Sequence, residues 1–199
     1  MNKTLIIIDF QKDFINGSLA VPNANEAETA IVNYIKENHT DLKEVLFTVD
    51  WHNSEHCSFK KNGGSWPVHC IQFSEGAGIS NKLINTCIEY NLPIYVFTKG
   101  KINESEEYGA FEHIYTIGKN ENACICVENK LHQFNFIDTN DVVICGLAGD
   151  YCVKESIKNL LKYNGPIKLN IEILKDGIKS IDDGTIFNNF IKENNLTVI

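Results

Sequence analysis

The stretch DWHNSEH carries Asp50, His52 and His56, and the loop continues to WPVHC with His69. An aspartate with two or three histidines is a hard-to-borderline donor set suited to zinc, iron(II) or manganese. Asp50 and His52 are two residues apart, so in extended chain they share a face. His56 and His69 must then be folded back by the loop to join them. One histidine in a loop is ordinary surface; three with an aspartate behind one strand predict a divalent metal site. Cys57 and Cys70 flank two of these histidines and are possible thiolate ligands. Their neighbours point away in an extended chain, so both are read as core or bystander residues. The pair Cys124-x-Cys126 lacks metal-ligand spacing and reads as buried strand.

A second kind of chemistry centres on Cys152. A thiolate is the reactive form of cysteine, and a helix start supplies unpaired N–H groups and a positive dipole end that favour it. Taken alone, such a cysteine reads more often as a small apolar residue packed under its helix. Its company changes the reading. Asp9, Asp50 and Lys99 each close an apolar run, and Cys152 follows a fourth. Lys99 nearby favours the thiolate, and Asp9 can accept the thiol proton and return it to a leaving group.

The elements that must position these groups are legible as alternating periods. Short apolar runs at Thr4–Ile8, Val45–Val49, Ile94–Thr98, Val142–Cys145 and Ile167–Leu174 suit strands covered on both faces of a parallel sheet. Helical stripes lie between them: Ala27, Ile31, Tyr34, Ile35; Leu83, Ile84, Cys87, Ile88; Val153, Ile157, Leu160, Leu161; and Phe187, Phe190, Ile191. Leu196–Ile199 is a last strand. The alternation predicts a single α/β domain over 1–199, a three-layer α/β/α sandwich with a mostly parallel sheet. The long connections Trp51–Ile79 and Gly100–Asn120 both follow strands, at the carboxyl ends where open α/β sheets bind ligands.

With a net charge of −8 and no arginine, the chain is a poor match for nucleic acid. No apolar run reaches the roughly 18 residues of a membrane span, and the first segment reads as a strand rather than a leader, so the cytoplasm is the expected location. Seven cysteines at irregular spacing are expected as free thiols. A small neutral substrate fits this charge.

The elements IDFQKDF, TVDWHNSEHCSF, WPVHCIQ, FTKG and GLAGDYCV, in this order and over nearly the whole chain, resemble the nicotinamidases of the isochorismatase-like cysteine hydrolases. The resemblance implies hydrolysis of the linear carboxamide nicotinamide to nicotinic acid and ammonia through a thioester, in NAD salvage, with pyrazinamide as an alternative substrate. Position by position, it implies Asp9, Lys99 and Cys152 as the catalytic triad, and Asp50, His52, His56 and His69 as ligands of one divalent metal, zinc foremost and iron(II) or manganese as alternatives. It implies a cis Leu147–Ala148 bond and an oxyanion hole from the backbone N–H groups of Ala148 and Cys152. Phe14, Trp66, Tyr108, Leu147 and Tyr151 then belong to the substrate pocket. Gly149 stands where the family usually has threonine, and Asn53 where it has proline.

Rival readings are an amidohydrolase of the same superfamily acting on a carbamoyl or ureido substrate, a catalytically silent binding domain of the same fold, and a zinc-stabilised structural protein. Monomer and homo-oligomer are both compatible with the sequence.

Overall fold

The computed structural model describes residues 3–111, 125–127, 130–132, 140–162 and 169–199. Strands β1 (Lys3–Ile8), β2 (Leu42–Asp50) and β3 (Ile94–Lys99) are separated by the short helix α1 (Lys12–Ile15), the long helix α2 (Ala24–Asn38) and α3 (Asn81–Glu89). A two-stranded antiparallel ribbon follows, β4 (Ile125–Val127) with β5 (Lys130–His132). The chain then returns through β6 (Asp141–Leu147), α4 (Lys154–Leu161), β7 (Asn170–Lys179), α5 (Thr185–Glu193) and β8 (Thr197–Val198).

Six strands form one parallel sheet in the order β3-β2-β1-β6-β7-β8. The first three strands build outward in one direction and the last three in the other. Right-handed crossovers therefore put α2 and α3 on one face and α4 and α5 on the opposite one. The expected α/β/α architecture is present. The reversal between β1 and β6 is the switch point at which such sheets open a crevice beyond their carboxyl ends.

Burial explains the apolar runs. Leu5–Ile8, Val45–Phe47 and Val142–Cys145 are fully enclosed, because helices cover the sheet on both faces. Gly146 fits the tight β1–β6 contact: its φ is +130°, and a Cβ there would lie 2.1 Å from the Ile8 carbonyl oxygen.

Three details differ from the sequence reading. The last long strand starts at Asn170 among the described residues and runs to Lys179, beyond the expected end at Leu174. Two stripe residues near the helix C-termini, Ile88 and Leu161, face solvent at 61% and 44% exposure. Cys152 does not begin an α-helix: Gly149–Val153 form a turn of π-helix, with the Val153 N–H donating to the Ala148 carbonyl (3.1 Å), and α4 starts only at Lys154. Cys124 lies outside the described residues, and Cys126 falls in β4.

Candidate active site

Asp9 follows β1 directly, with φ at +47°, a left-handed conformation that aspartate tolerates better than bulkier residues. Its N–H donates to the Thr48 carbonyl (3.1 Å), and the Thr48 hydroxyl donates to Asp9 Oδ1 (2.7 Å). Asp9 Oδ2 lies 2.8 Å from Lys99 Nζ. Lys99 is the last residue of β3, in register with Asp50, the last residue of β2. Its ammonium also contacts Asp50 Oδ1, the Cys152 sulfur (3.7 Å) and the Glu107 carbonyl (3.4 Å). Carboxylate oxygens of Asp9 and Asp50 and Cys152 Sγ lie within 4.8 Å of one another, and all three residues are buried. That group already holds a cation, the Lys99 ammonium, which a buried charge of this kind requires as partner and needs in turn.

Charge balance follows from this packing. Burial alone would lower the Lys99 pKa, but Asp50 and Asp9 hold it well above the ordinary lysine value. Burial likewise opposes ionisation of Asp50, yet Lys99 and His52 pull its carboxyl far below the usual range. At Asp9 burial prevails over the attraction of Lys99, with repulsion from Asp50 added, and the carboxyl is pushed up. The Cys152 thiol is also pushed well up by burial; Lys99 opposes this, but Asp9 and Asp50 reinforce it. Burial and the two carboxylates thus oppose the thiolate that Lys99 favours.

Asp50 turns its second oxygen the other way. Asp50 Oδ2 is 3.5 Å from His52 Nε2 and 3.9 Å from His69 Nε2, and one ligand atom from each of these three residues fits within 4.8 Å. The far nitrogens are all held: His52 Nδ1 by the Gly100 carbonyl, His69 Nδ1 by the Pro67 carbonyl, and His56 Nδ1 by the Ser58 hydroxyl, each at 2.8 Å. A carbonyl only accepts, so the Nδ1 atoms of His52 and His69 carry the proton and Nε2 presents a lone pair, the form that binds a metal. Gly100 permits this approach: its φ is +66°, and a Cβ would lie 2.5 Å from His52 Cε1. The His56 ring lies 4.1 Å from that of His52, and its buried Nε2 has no hydrogen-bond partner among the described residues. The Asp50, His52 and His69 donor set fits a divalent metal ion. Asp50, His52 and His69 form the compact set, with His56 beside them.

A cleft opens onto both groups. Cys152, Asp50 and His69 line it together with Phe14, Trp66, Tyr108 and Tyr151. The Trp66 and Tyr151 rings meet edge-on at 5.0 Å, Tyr108 lies 5.4 Å from Tyr151, and the Trp66 indole N–H donates to the Tyr108 hydroxyl (3.0 Å). Such a slot suits a flat ring. Ala148 lines the cleft beside Cys152, and the Leu147–Ala148 bond is cis. Leu147 is fully buried and does not reach the wall.

Sequence reasoning missed three polar residues. Glu106 lines the cleft, with its carboxyl pushed up by burial and by Asp50. Asp13 accepts the N–H of Cys70 (2.7 Å), next to His69. Gln11 is fully buried against Asp50. The acidic pair before Tyr108 and the repeated polar positions of DFQKD were the only signals available.

No family model matches the chain. Over 164 residues it is 34% identical to a nicotinamidase/pyrazinamidase of Mycobacterium tuberculosis, covering 80% of this chain and 79% of that protein. It is 29% identical to a nicotinamidase of Saccharomyces cerevisiae over 208 residues, 86% of this chain and 92% of the relative. Among solved structures it is similar to PnC1 from L. infantum in complex with nicotinate, with a TM-score of 0.76, 26% identity, and 100% and 92% of the two chains covered. The pyrazinamidase of Pyrococcus horikoshii in complex with zinc shares the fold, with a TM-score of 0.73, 24% identity, and 100% and 99% coverage.

Proposed function

The chain belongs to the nicotinamidase/pyrazinamidase family, and from that premise we propose that it hydrolyses nicotinamide to nicotinic acid and ammonia, with Cys152 as nucleophile. The observation that carries the reading is the contact of Lys99 with Asp9, Asp50 and Cys152, the last two of which line an aromatic cleft.

Trp66, Tyr108, Tyr151 and Phe14 hold the pyridine ring and leave its carboxamide over the Cys152 sulfur, so the reaction begins from an oriented pair. Asp9 takes the thiol proton as sulfur attacks the carbonyl carbon. Lys99 stays protonated throughout and compensates the negative charge that moves between Asp9 and sulfur. The backbone N–H groups of Ala148 and Cys152 receive the oxyanion. On collapse the C–N bond breaks, Asp9 returns its proton to nitrogen, and ammonia leaves a thioester on Cys152. Asp9 then deprotonates water attacking the thioester carbon; the C–S bond breaks, and the proton goes back to sulfur.

Asp50, His52 and His69, with His56 beside them, are the ligands we assign to the metal. Zinc suits this imidazole–carboxylate set best, with iron(II) and manganese compatible. Such an ion would supply a Lewis-acidic anchor that helps to position the ring. Pyrazinamide, which keeps a ring nitrogen and the carboxamide, is a second substrate under the same reading. The cytoplasm is the proposed location; among the described residues no helix is long and apolar enough to cross a membrane.

An ammonia-release assay on zinc-loaded protein tests the substrate class. Nicotinamide and pyrazinamide should be turned over, and open-chain carbamoyl and ureido compounds should not. The opposite preference would assign the chain to another amide substrate.

A further inference from the structure

Strand β1 ends its ladder with β2 at the pair Ile8–Thr48, followed by the Asp9 N–H to the Thr48 carbonyl. At Asp9 the chain turns into the left-handed region and leaves the sheet, which brings its carboxylate to Lys99. Strand β2 continues two residues further, to Asp50. In a parallel ladder the amides of residues two apart face the same neighbour, so the Asp50 N–H and carbonyl face the place that β1 has vacated. A regular continuation would offer the Asp9 carbonyl to the Asp50 N–H and the Gln11 N–H to the Asp50 carbonyl. Those two β1 groups instead bond to each other, Gln11 N–H to Asp9 carbonyl at 2.8 Å.

The Gln11 side chain fills the gap. Its Oε1 accepts the Asp50 N–H (2.8 Å), and its Nε2 donates to the Asp50 carbonyl (2.9 Å). The second Nε2 proton goes to the Ala77 carbonyl (2.9 Å), in the segment that follows His69. The residue is fully buried and every hydrogen-bonding position of its amide that the site needs is used. We propose that Gln11 is a positioning residue: its side-chain amide replaces the missing β1 peptide and holds Asp50 with one oxygen on Lys99 and the other toward His52 and His69.

A primary amide is the side chain that suits this place, because it carries a peptide's acceptor and donor on one plane. Glutamate keeps the acceptor and presents an anion to two carbonyls, while methionine keeps the shape and neither bond. The device lets neighbouring strand ends deliver Asp9 and Asp50 to one rim without leaving the Asp50 amide unsatisfied. Its functional part rests on the reading of Asp50 as a metal ligand.

The test compares full-length wild type, Gln11→Met and Gln11→Glu by amide hydrogen exchange and by zinc affinity, measured in competition with a chromogenic chelator. Ser80→Ala, which removes the side-chain cap of α3, is the control for general destabilisation. In Gln11→Met the Asp50 amide should lose protection selectively while Ile7 and Thr48 keep theirs, and zinc should bind roughly 10–100-fold more weakly, as for other residues that orient a metal ligand. Gln11→Glu retains the acceptor and should lie between, which preserves the comparison if the methionine variant does not fold. Ser80→Ala should leave zinc affinity unchanged. An Asp50 amide equally protected without Gln11, or an equal loss of zinc affinity in Ser80→Ala, would overturn the proposal. Wild-type protein that binds no zinc would contradict the metal reading of Asp50, and the amide exchange would still decide whether Gln11 completes the ladder.

Discussion

Asp50 and Lys99, paired in register at the ends of β2 and β3, join the two halves of the site. One Asp50 oxygen meets the ammonium that contacts Asp9 and Cys152; the other faces His52 and His69. The carboxylate is thus shared between the group that does chemistry on sulfur and the group that fits a metal. Disturbing either side is felt on the other.

Lys99 is the only cation described among Asp9, Asp50 and Cys152. Lys99→Met should remove turnover and destabilise the fold by about 3–5 kcal/mol, the usual cost of breaking a buried ion pair from one side. Urea unfolding and single-turnover kinetics measure the two effects. A methionine variant with wild-type stability would contradict the pairing described.

The imidazoles should differ in weight. His69→Ala removes a member of the compact set, so it should abolish tight zinc binding and activity together. His56→Ala should weaken zinc binding less, since His56 stands beside that set. Treatment with a strong chelator should suppress activity, and added zinc should restore it. Full activity in protein shown by elemental analysis to hold no metal would sink the metal assignment.

Glu106 places a carboxyl in a cleft whose substrate is neutral and whose product is an anion. Glu106→Gln should therefore strengthen inhibition by nicotinate several-fold, about 1 kcal/mol of like-charge repulsion in a partly hydrated site, and barely move the KM for nicotinamide. Equal shifts for both ligands would point to a packing role instead.

Much of this architecture was readable from residue order. The runs ending at Ile8, Val49 and Thr98 place Asp9, Asp50 and Lys99 at strand ends because an apolar run stops where the sheet's cover stops. DWH followed by two more histidines states the metal chemistry outright. What stayed hidden depends on geometry that no periodicity encodes. The stripe Val153, Ile157, Leu160 begins at the same place whether the preceding turn is α or π, so the local setting of Cys152 was misjudged. The balance of burial against Lys99, Asp9 and Asp50 at its thiol emerges only when four distant segments meet. Gln11 acts through ladder register, and Glu106 sits in a loop without a period.

Acid-quenched intact mass analysis during nicotinamide turnover, followed by peptide mapping, tests the central claim most directly. The account predicts a transient nicotinoyl adduct on Cys152, absent in Cys152→Ala, which should bind nicotinamide and release no ammonia. Ammonia release by Cys152→Ala at the wild-type rate, with no adduct on the native thiol, would contradict it.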